Sequence, residues 1–299
     1  MNIQAYLILA LTTFIWGGNS VAGKIAVGHV SPMLLTGMRW TIACGLLLAI
    51  AIPPLRKDWP LIRRHALLLF SYGAVGFTAF NAALYSALQY TSAINAVIEQ
   101  AAIPMVIFAV NFVLFRTGVS VAQWFGFALT LFAVALTASH GDLSTLLSLD
   151  LNRGDALMMF AVLVYAGYTV TLRYKPGIHW KSLIAVSAFA ALLSSVPLMI
   201  WESTSGAMIW PDTTGWIIVA YAGVFPSLIS QILYVRGVEL IGPNRAGLFI
   251  NLIPIFGTLL SIVLIGEQLH TFHIIALALA LIGIAVAEKG RPKVAAESP

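Results

Sequence analysis

The sequence predicts an all-α integral membrane protein of ten transmembrane helices, arranged as two five-helix repeats of inverted topology. Three observations predict it. First, 60% of the 299 residues are apolar or aromatic and only 9% are charged, with a mean hydropathy of +0.94, well outside the range of soluble domains. Second, the apolar runs are about 20 residues long, the length of a helix that crosses the hydrocarbon layer and far beyond a barrel strand. Third, the chain resembles itself at a shift of 150 residues, which lays Asn95-Ala96 over Arg245-Ala246 and Ile103-Pro104 over Ile253-Pro254.

Taken in order, the spans fall at 3–25, 32–52, 64–88, 92–115, 120–138, 154–174, 181–201, 214–236, 243–265 and 270–288. The first begins the chain with an apolar run. Ser20-Val21-Ala22 has the small residues of a signal-peptidase site, but no Lys or Arg precedes the run, so it is expected to stay as a helix. The second and third are separated by RKDWPLIRRH (56–65), and the third and fourth by the short turn Gln89-Tyr90-Thr91. The segment 139–153 reads as a loop between the halves, residues 1–150 and 151–299, and Glu288 to Pro299 as a polar tail. Cys44 is the only cysteine, which excludes an intrachain disulfide or a cysteine-rich zinc site.

Charge sets the orientation. With the N-terminus in the cytoplasm, cytoplasmic segments collect thirteen basic residues: Arg56, Lys57, Arg63, Arg64, Arg116, Arg173, Lys175, Lys181, Arg236, Arg245, Lys289, Arg291 and Lys293. Lys24, Arg39 and Arg153, three residues, fall toward the other side. The bias places both termini in the cytoplasm and accounts for the net charge of +5 without a nucleic-acid partner. Five helices per half is an odd number, so the second half enters the membrane inverted. In agreement, RKDWPLIRRH is basic whereas its counterpart from Glu202 to Asp212 has no Lys or Arg. Inverted repeats are a common transporter plan, with the site near the midplane between the halves and access alternating as they rock.

Glu99, inside NAVIEQAAIPMV, lies about five residues from Pro104 and so roughly 7 Å along the axis from mid-span. An ionisable group there is costly and marks a substrate or proton pathway, with a hydrogen-bonded packing role as the competing reading. Ionised, it would attract an ammonium group; in a poorly hydrated site it would exchange protons. Asn95 shares its face one turn earlier. Trp16 and Asn19 on the first helix, Asn81 and Tyr85 on the third, Tyr165 and Tyr168 on the sixth, Ser227, Gln231 and Tyr234 on the eighth, and Asn251 beside Pro254 complete the candidate lining of a substrate cavity. Each taken singly is as well explained by interhelical packing. Arg39, about seven residues into the second helix and roughly 10 Å deep, reads equally as a snorkelling anchor or a carboxylate-binding group. Lys24 and Arg173 are repeat partners at helix ends, where a cation complements the dipole. Pro104 and Pro254 are expected to kink their helices at matching depths, as hinges or as static bends.

WGGNSVAGK (16–24), GMRWTIACGLLLA (37–49) and IPIFGTLLSIVLIGEQL (253–269) resemble the EamA branch of the drug/metabolite transporter superfamily, over essentially the whole chain. Within it the chain is most similar to YddG-type bacterial exporters of aromatic and other neutral amino acids. The resemblance implies a multi-pass protein of the bacterial inner membrane, an exporter of amino acids or other small organic molecules that requires no cofactor. It implies an acidic residue after the penultimate helix, here Glu267, which reads as a helix-end group; the first half has Arg116-Thr117 instead. Drug efflux is the alternative transport reading, and a passive channel would share the composition. Motifs for other classes are absent: no HExxH, no GxSxG and no P-loop occurs, and Glu267-Gln-Leu-His270 is an isolated ExxH.

Overall fold

The computed structural model of the protein describes residues 3–116, 120–142 and 152–290. Thr117, most of the expected 139–153 loop and the tail from 291 on, with Arg291 and Lys293, lie outside the described residues. The described residues contain no strand. Nine of their helices are long and apolar enough to cross a membrane, and a tenth has a shorter apolar stretch, Thr271–Ala287.

These helices are α1 (Ile3–Ile25), α2 (Pro32–Arg64), α3 (Ala66–Ala87), α4 (Ala93–Phe115), α5 (Val121–Ala138), α6 (Arg153–Tyr174), α7 (Trp180–Thr204), α8 (Thr213–Ile241), α9 (Arg245–Ile265) and α10 (Thr271–Lys289). α2 is longer than the sequence suggests. It runs on from 52 to Arg64 through Pro53, Pro54 and Pro60, because the charged stretch 56–64 has enough helix formers to continue the spiral beyond its apolar part.

Four helices are irregular within their length. α3 widens into a π-helix over Tyr72–Ala79, and α8 over Phe225–Ile229. In α8 the cause is Pro226. It has no N–H for the carbonyl of Ala222 four residues back, and the Ser227 hydroxyl donates to that carbonyl instead, at 2.7 Å. α4 is broken between Gln100 and Ile103; α9 passes through a 3-10 turn, Phe249–Leu252. Pro104 and Pro254 therefore do not kink continuous helices as expected. Each sits in the first turn of a new segment, Ile103–Phe115 and Ile253–Ile265, where a missing N–H costs nothing.

The packing interlocks the chain. α2 lies along α7, and α5 along α10. α1 packs on the later parts of α8 and α9, while α6 packs on the later parts of α3 and α4. The backbones approach closely where glycines meet: a Cβ at Gly17 of α1 would fall 2.7 Å from the backbone nitrogen of Gly257 in α9, so only a hydrogen fits there. The turns at one end are tied together. Ser31 N donates to Ile209 O at 3.2 Å and Asp212 N to His29 O at 3.3 Å. Asp212 also caps α8, accepting from Gly215 N at 2.8 Å, and pairs with His29 at 2.7 Å.

Candidate functional site

Arg39 of α2 turns into the bundle rather than snorkelling, and is 3% exposed. Every hydrogen bond it makes goes to a neutral oxygen. Nε and Nη2 donate to Ser227 Oγ of α8 at 2.9 and 2.7 Å. Nη1 donates to Asn81 Oδ1 and Tyr85 OH of α3, and to Asn19 Oδ1 of α1 at 3.3 Å. The acceptors are held in turn: Tyr85 OH donates to Asn19 Oδ1 at 2.8 Å, and Asn81 Nδ2 to Phe77 O at 2.6 Å. The π-turns place them, since Ser227 lies within the wide turn of α8 and Asn81 and Tyr85 follow directly on that of α3. A cation withdrawn from water, with no carboxylate of the described residues bonded to it, is an arrangement in which an added anion gains the full attraction of a poorly screened charge.

Aromatic rings adjoin this cluster. The guanidinium carbon is 5.1 Å from the ring centre of Trp40 and 5.7 Å from that of Tyr85. Trp40 stacks on Phe77 at 4.7 Å, Phe77 meets Tyr168 at 5.9 Å, Tyr168 meets Tyr165 at 5.5 Å, and Tyr165 meets Phe80 at 4.9 Å. Tyr168 can lie against α3 only because position 76 is glycine: a Cβ there would fall 2.4 Å from its ring carbons. Trp16 packs on Tyr234 at 5.3 Å.

The structure thus brings Asn19, Asn81 and Tyr85 together on Arg39, joins Tyr165 to Tyr168 and joins Trp16 to Tyr234. Gln231 is half-buried three residues before Tyr234, on its face. Asn251 lies in the 3-10 turn that interrupts α9, also half-buried.

Asn95 and Glu99 belong to a different group. Glu99 is 0% exposed, and Asp155 of α6, 1% exposed, acts directly on it. Among the described residues, none offers the four carboxyl oxygens a well-formed hydrogen bond. Asn95 Oδ1 accepts from His273 Nε2 of α10 at 2.9 Å, and its Nδ2 donates to Thr91 Oγ1 at 3.3 Å. Asp155 and His273 carry no signal of this in the sequence. Asp155 reads as an ordinary first-turn acid and His273 as an interfacial residue; only their packing against α4 distinguishes them.

Two other carboxylates are plainly structural. Glu202, at the end of α7, accepts from Ser31 Oγ, Met33 N and Leu34 N at 2.6, 3.0 and 2.9 Å, closing the N-terminus of α2. Glu267 does the same for α4, accepting from Ala93 N and Ile94 N at 2.8 and 2.9 Å. The helix-end reading of Glu267 is therefore what its geometry serves, on a neighbouring helix. Lys24 also acts on a neighbour, donating to Leu88 O and Thr91 O at 3.0 and 2.8 Å beyond the end of α3. Arg173 lies over the ring of Phe115 at 3.8 Å.

The described residues form a helical bundle of membrane-spanning length with a polar, charged interior, and comparison with known proteins makes it a membrane transporter. The family model of the EamA-like transporters matches the chain twice, over residues 3–139 and 152–288. The protein belongs to the EamA-like transporter family. Its relatives include the uncharacterized transporter YyaM of Bacillus subtilis, 24% identical over 302 residues, with 96% of this chain and 94% of the relative covered. YetK of the same organism, also an uncharacterized transporter, is 27% identical over 290 residues, covering 95% and 87%. The uncharacterized inner membrane transporter YedA of Escherichia coli K12 is 27% identical over 286 residues, covering 93% and 88%. A solved crystal structure superimposes with a TM-score of 0.64 at 20% identity, over 96% of this chain and 98% of that one, which shows a shared fold.

Proposed function

We propose that the protein is a secondary transporter that moves small carboxylate-bearing molecules, foremost amino acids with aromatic or other neutral side chains, out of the bacterial cytoplasm by alternating access. The observation that carries this reading is Arg39, buried among neutral oxygens and aromatic faces. A substrate carboxylate would take the place of one or more of those oxygens, and a flat or apolar side chain would lie along Trp40, Phe77, Tyr165 and Tyr168. Trp16, Tyr234, Gln231 and Asn251 extend the lining. A cationic drug would meet the same unneutralised charge, so the drug-efflux alternative is the less favoured one.

Alternating access needs two halves that can exchange conformations. Exchanging each helix with the one five places along maps the main helix pairings onto themselves: α2 with α7, α5 with α10, and α1 on α8 and α9 onto α6 on α3 and α4. The double match of the family model points the same way. These relations support two inverted repeats, 1–150 and 151–299, about an axis in the membrane plane. The interruptions that precede Pro104 and Pro254 are where the two halves would flex. The charge bias supports cytoplasmic termini, and export is the direction that the resemblance implies.

The test is counterflow in proteoliposomes with a set of amino acids, the corresponding amines that lack the carboxylate, and drug-like cations. Saturable counterflow of the acids with none of the amines is the expected result. Preference for cations, or unsaturable flux, would overturn it.

A further inference from the structure

The second buried group has a chemistry of its own. Glu99 and Asp155 bring two carboxyls into one buried place, on α4 and on the first turn of α6. Among the described residues no donor meets full hydrogen-bond geometry on any of their four oxygens, and the groups within reach of Asp155 are the Thr91 hydroxyl and Glu99 itself. A pair of bare carboxylates there would suffer both desolvation and mutual repulsion, whereas one proton removes the repulsion and supplies the missing donor.

The surroundings connect this pair to one end of the bundle. α6 begins against the turn before α4: Asn152 Nδ2 donates to Tyr90 O at 2.8 Å, and a Cβ at Gly154 would fall 2.8 Å from Thr91. Thr91 stands beside Asp155 and is itself bonded to Asn95, which is bonded to His273. Asn95 and His273, with Ser92, His140, Glu267, Gln268, His270 and Phe272, line a cavity of about 200 Å³. The charged and titratable groups facing the pair can be sorted by element. α1 supplies Lys24, held on Leu88 O and Thr91 O. The turn after α9 supplies Glu267, held on the first turn of α4. α10 supplies His273, whose Nδ1 accepts from His270 N at 3.1 Å while Nε2 donates to Asn95, so both ring nitrogens are engaged. The turn after α5 supplies His140, which is exposed, lines the cavity and acts on the Asp155 charge. Of these, His140 is the imidazole suited to pass protons between the cavity and Asp155.

We infer that Glu99 and Asp155 together hold an exchangeable proton, loaded and discharged past His140 through this cavity, and that this pair is where transport is coupled to protons. The step moves a proton alone: it leaves water in the cavity, passes through the His140 imidazole to an Asp155 oxygen, and is shared with Glu99. Uptake makes the pair less negative by one charge. Release retraces the path. The coupling rests on the transport reading above; the proton site itself does not.

Infrared difference spectroscopy of the purified protein in lipid tests the site without substrate. The expected result is a carboxylic-acid C=O band that persists at neutral pH, shifts in Glu99→Gln and in Asp155→Asn, and vanishes when both are replaced. No such band, or one unchanged in the double variant, overturns the site. Deuterium exchange of that band is expected to slow in His140→Asn, which suits the positive φ of 51° at that position but removes the imidazole. Unchanged exchange would overturn the loading path.

Coupling is read by comparing substrate flux under a pH gradient with counterflow at equal pH. In Glu99→Gln and in Asp155→Asn the gradient-driven flux is expected to fall at least about tenfold further than counterflow. Equal loss of both, or full stimulation by the gradient, overturns the coupling. Wild-type protein that shows the band but no counterflow of any carboxylate would overturn the transport reading, and the coupling with it, while leaving the proton site standing.

Discussion

Glu202 and Glu99 are both glutamates that water scarcely reaches, 3% and 0% exposed. They differ in what their neighbours offer. Glu202 receives three hydrogen bonds, two of them from the open backbone N–H groups of α2. That is a site made for a charge, and the charge serves to join α7 to α2. Glu99 receives no N–H from the described residues and faces another carboxyl, that of Asp155. Burial alone does not separate a structural acid from a chemical one; the supply of donors does. Arg39 is the cationic counterpart of Glu202 in being well supplied, but its partners are neutral and an opposite charge is what it lacks.

The comparison can be broken at several points. The largest effect is expected at Arg39. Arg39→Gln removes the charge while keeping an amide for Ser227 and Asn81, and should weaken binding of carboxylate substrates by about 2–5 kcal/mol, measured by titration calorimetry in detergent. Unchanged affinity would mean that Arg39 only packs. Next, Glu202→Gln should lower unfolding stability by about 1.5–3 kcal/mol, because a neutral amide supplies weaker bonds and one badly oriented donor. Glu99→Gln forfeits no such bonds, so its thermal midpoint should stay at or above that of the wild-type protein. A midpoint that falls as far as that of Glu202→Gln would erase the distinction between the two glutamates.

The smallest effect belongs to Asp212, a surface carboxylate. The N–H of Gly215, and then His29, hold it below the usual carboxylate range. A group so shifted contributes stability above its unfolded value, and loses it as the pH falls through its folded value. Acidification below the ordinary carboxylate range should therefore loosen the turn between α7 and α8. Asp212→Asn, which still caps α8, should flatten that acid dependence in melting curves taken across pH.

Much of the fold is legible because apolar length is a one-dimensional property. The spans at 3–25, 92–115 and 154–174 agree with α1, α4 and α6 to within a residue. The end of α2 was not legible, since a helix that leaves the hydrocarbon no longer needs apolar residues to announce it. Asn19, Asn81, Tyr85 and Ser227 could be grouped as facing one interior because helical spacing shows which residues share a face. That they meet on Arg39, and that Asn95 and Glu99 do not join them, depends on which helices are neighbours. Asp155 was hidden for the same reason: its partner is 56 positions away in the chain, and neither residue alone betrays the other.

The wide turn at Tyr72–Ala79 is also a matter of counting. A π-turn accommodates a residue that an α-turn would not, so a deletion inside it would let the helix tighten without breaking. The residue lost is the one that the wide turn holds in surplus, so Asn81 and Tyr85 beyond it would keep their facing toward Arg39. A deletion between Asn81 and Tyr85, where the turns are regular, would instead revolve Tyr85 by about 100° away from Asn81. Among descendants of this gene, the wide turn is where the third helix can lose a codon and still assemble its site.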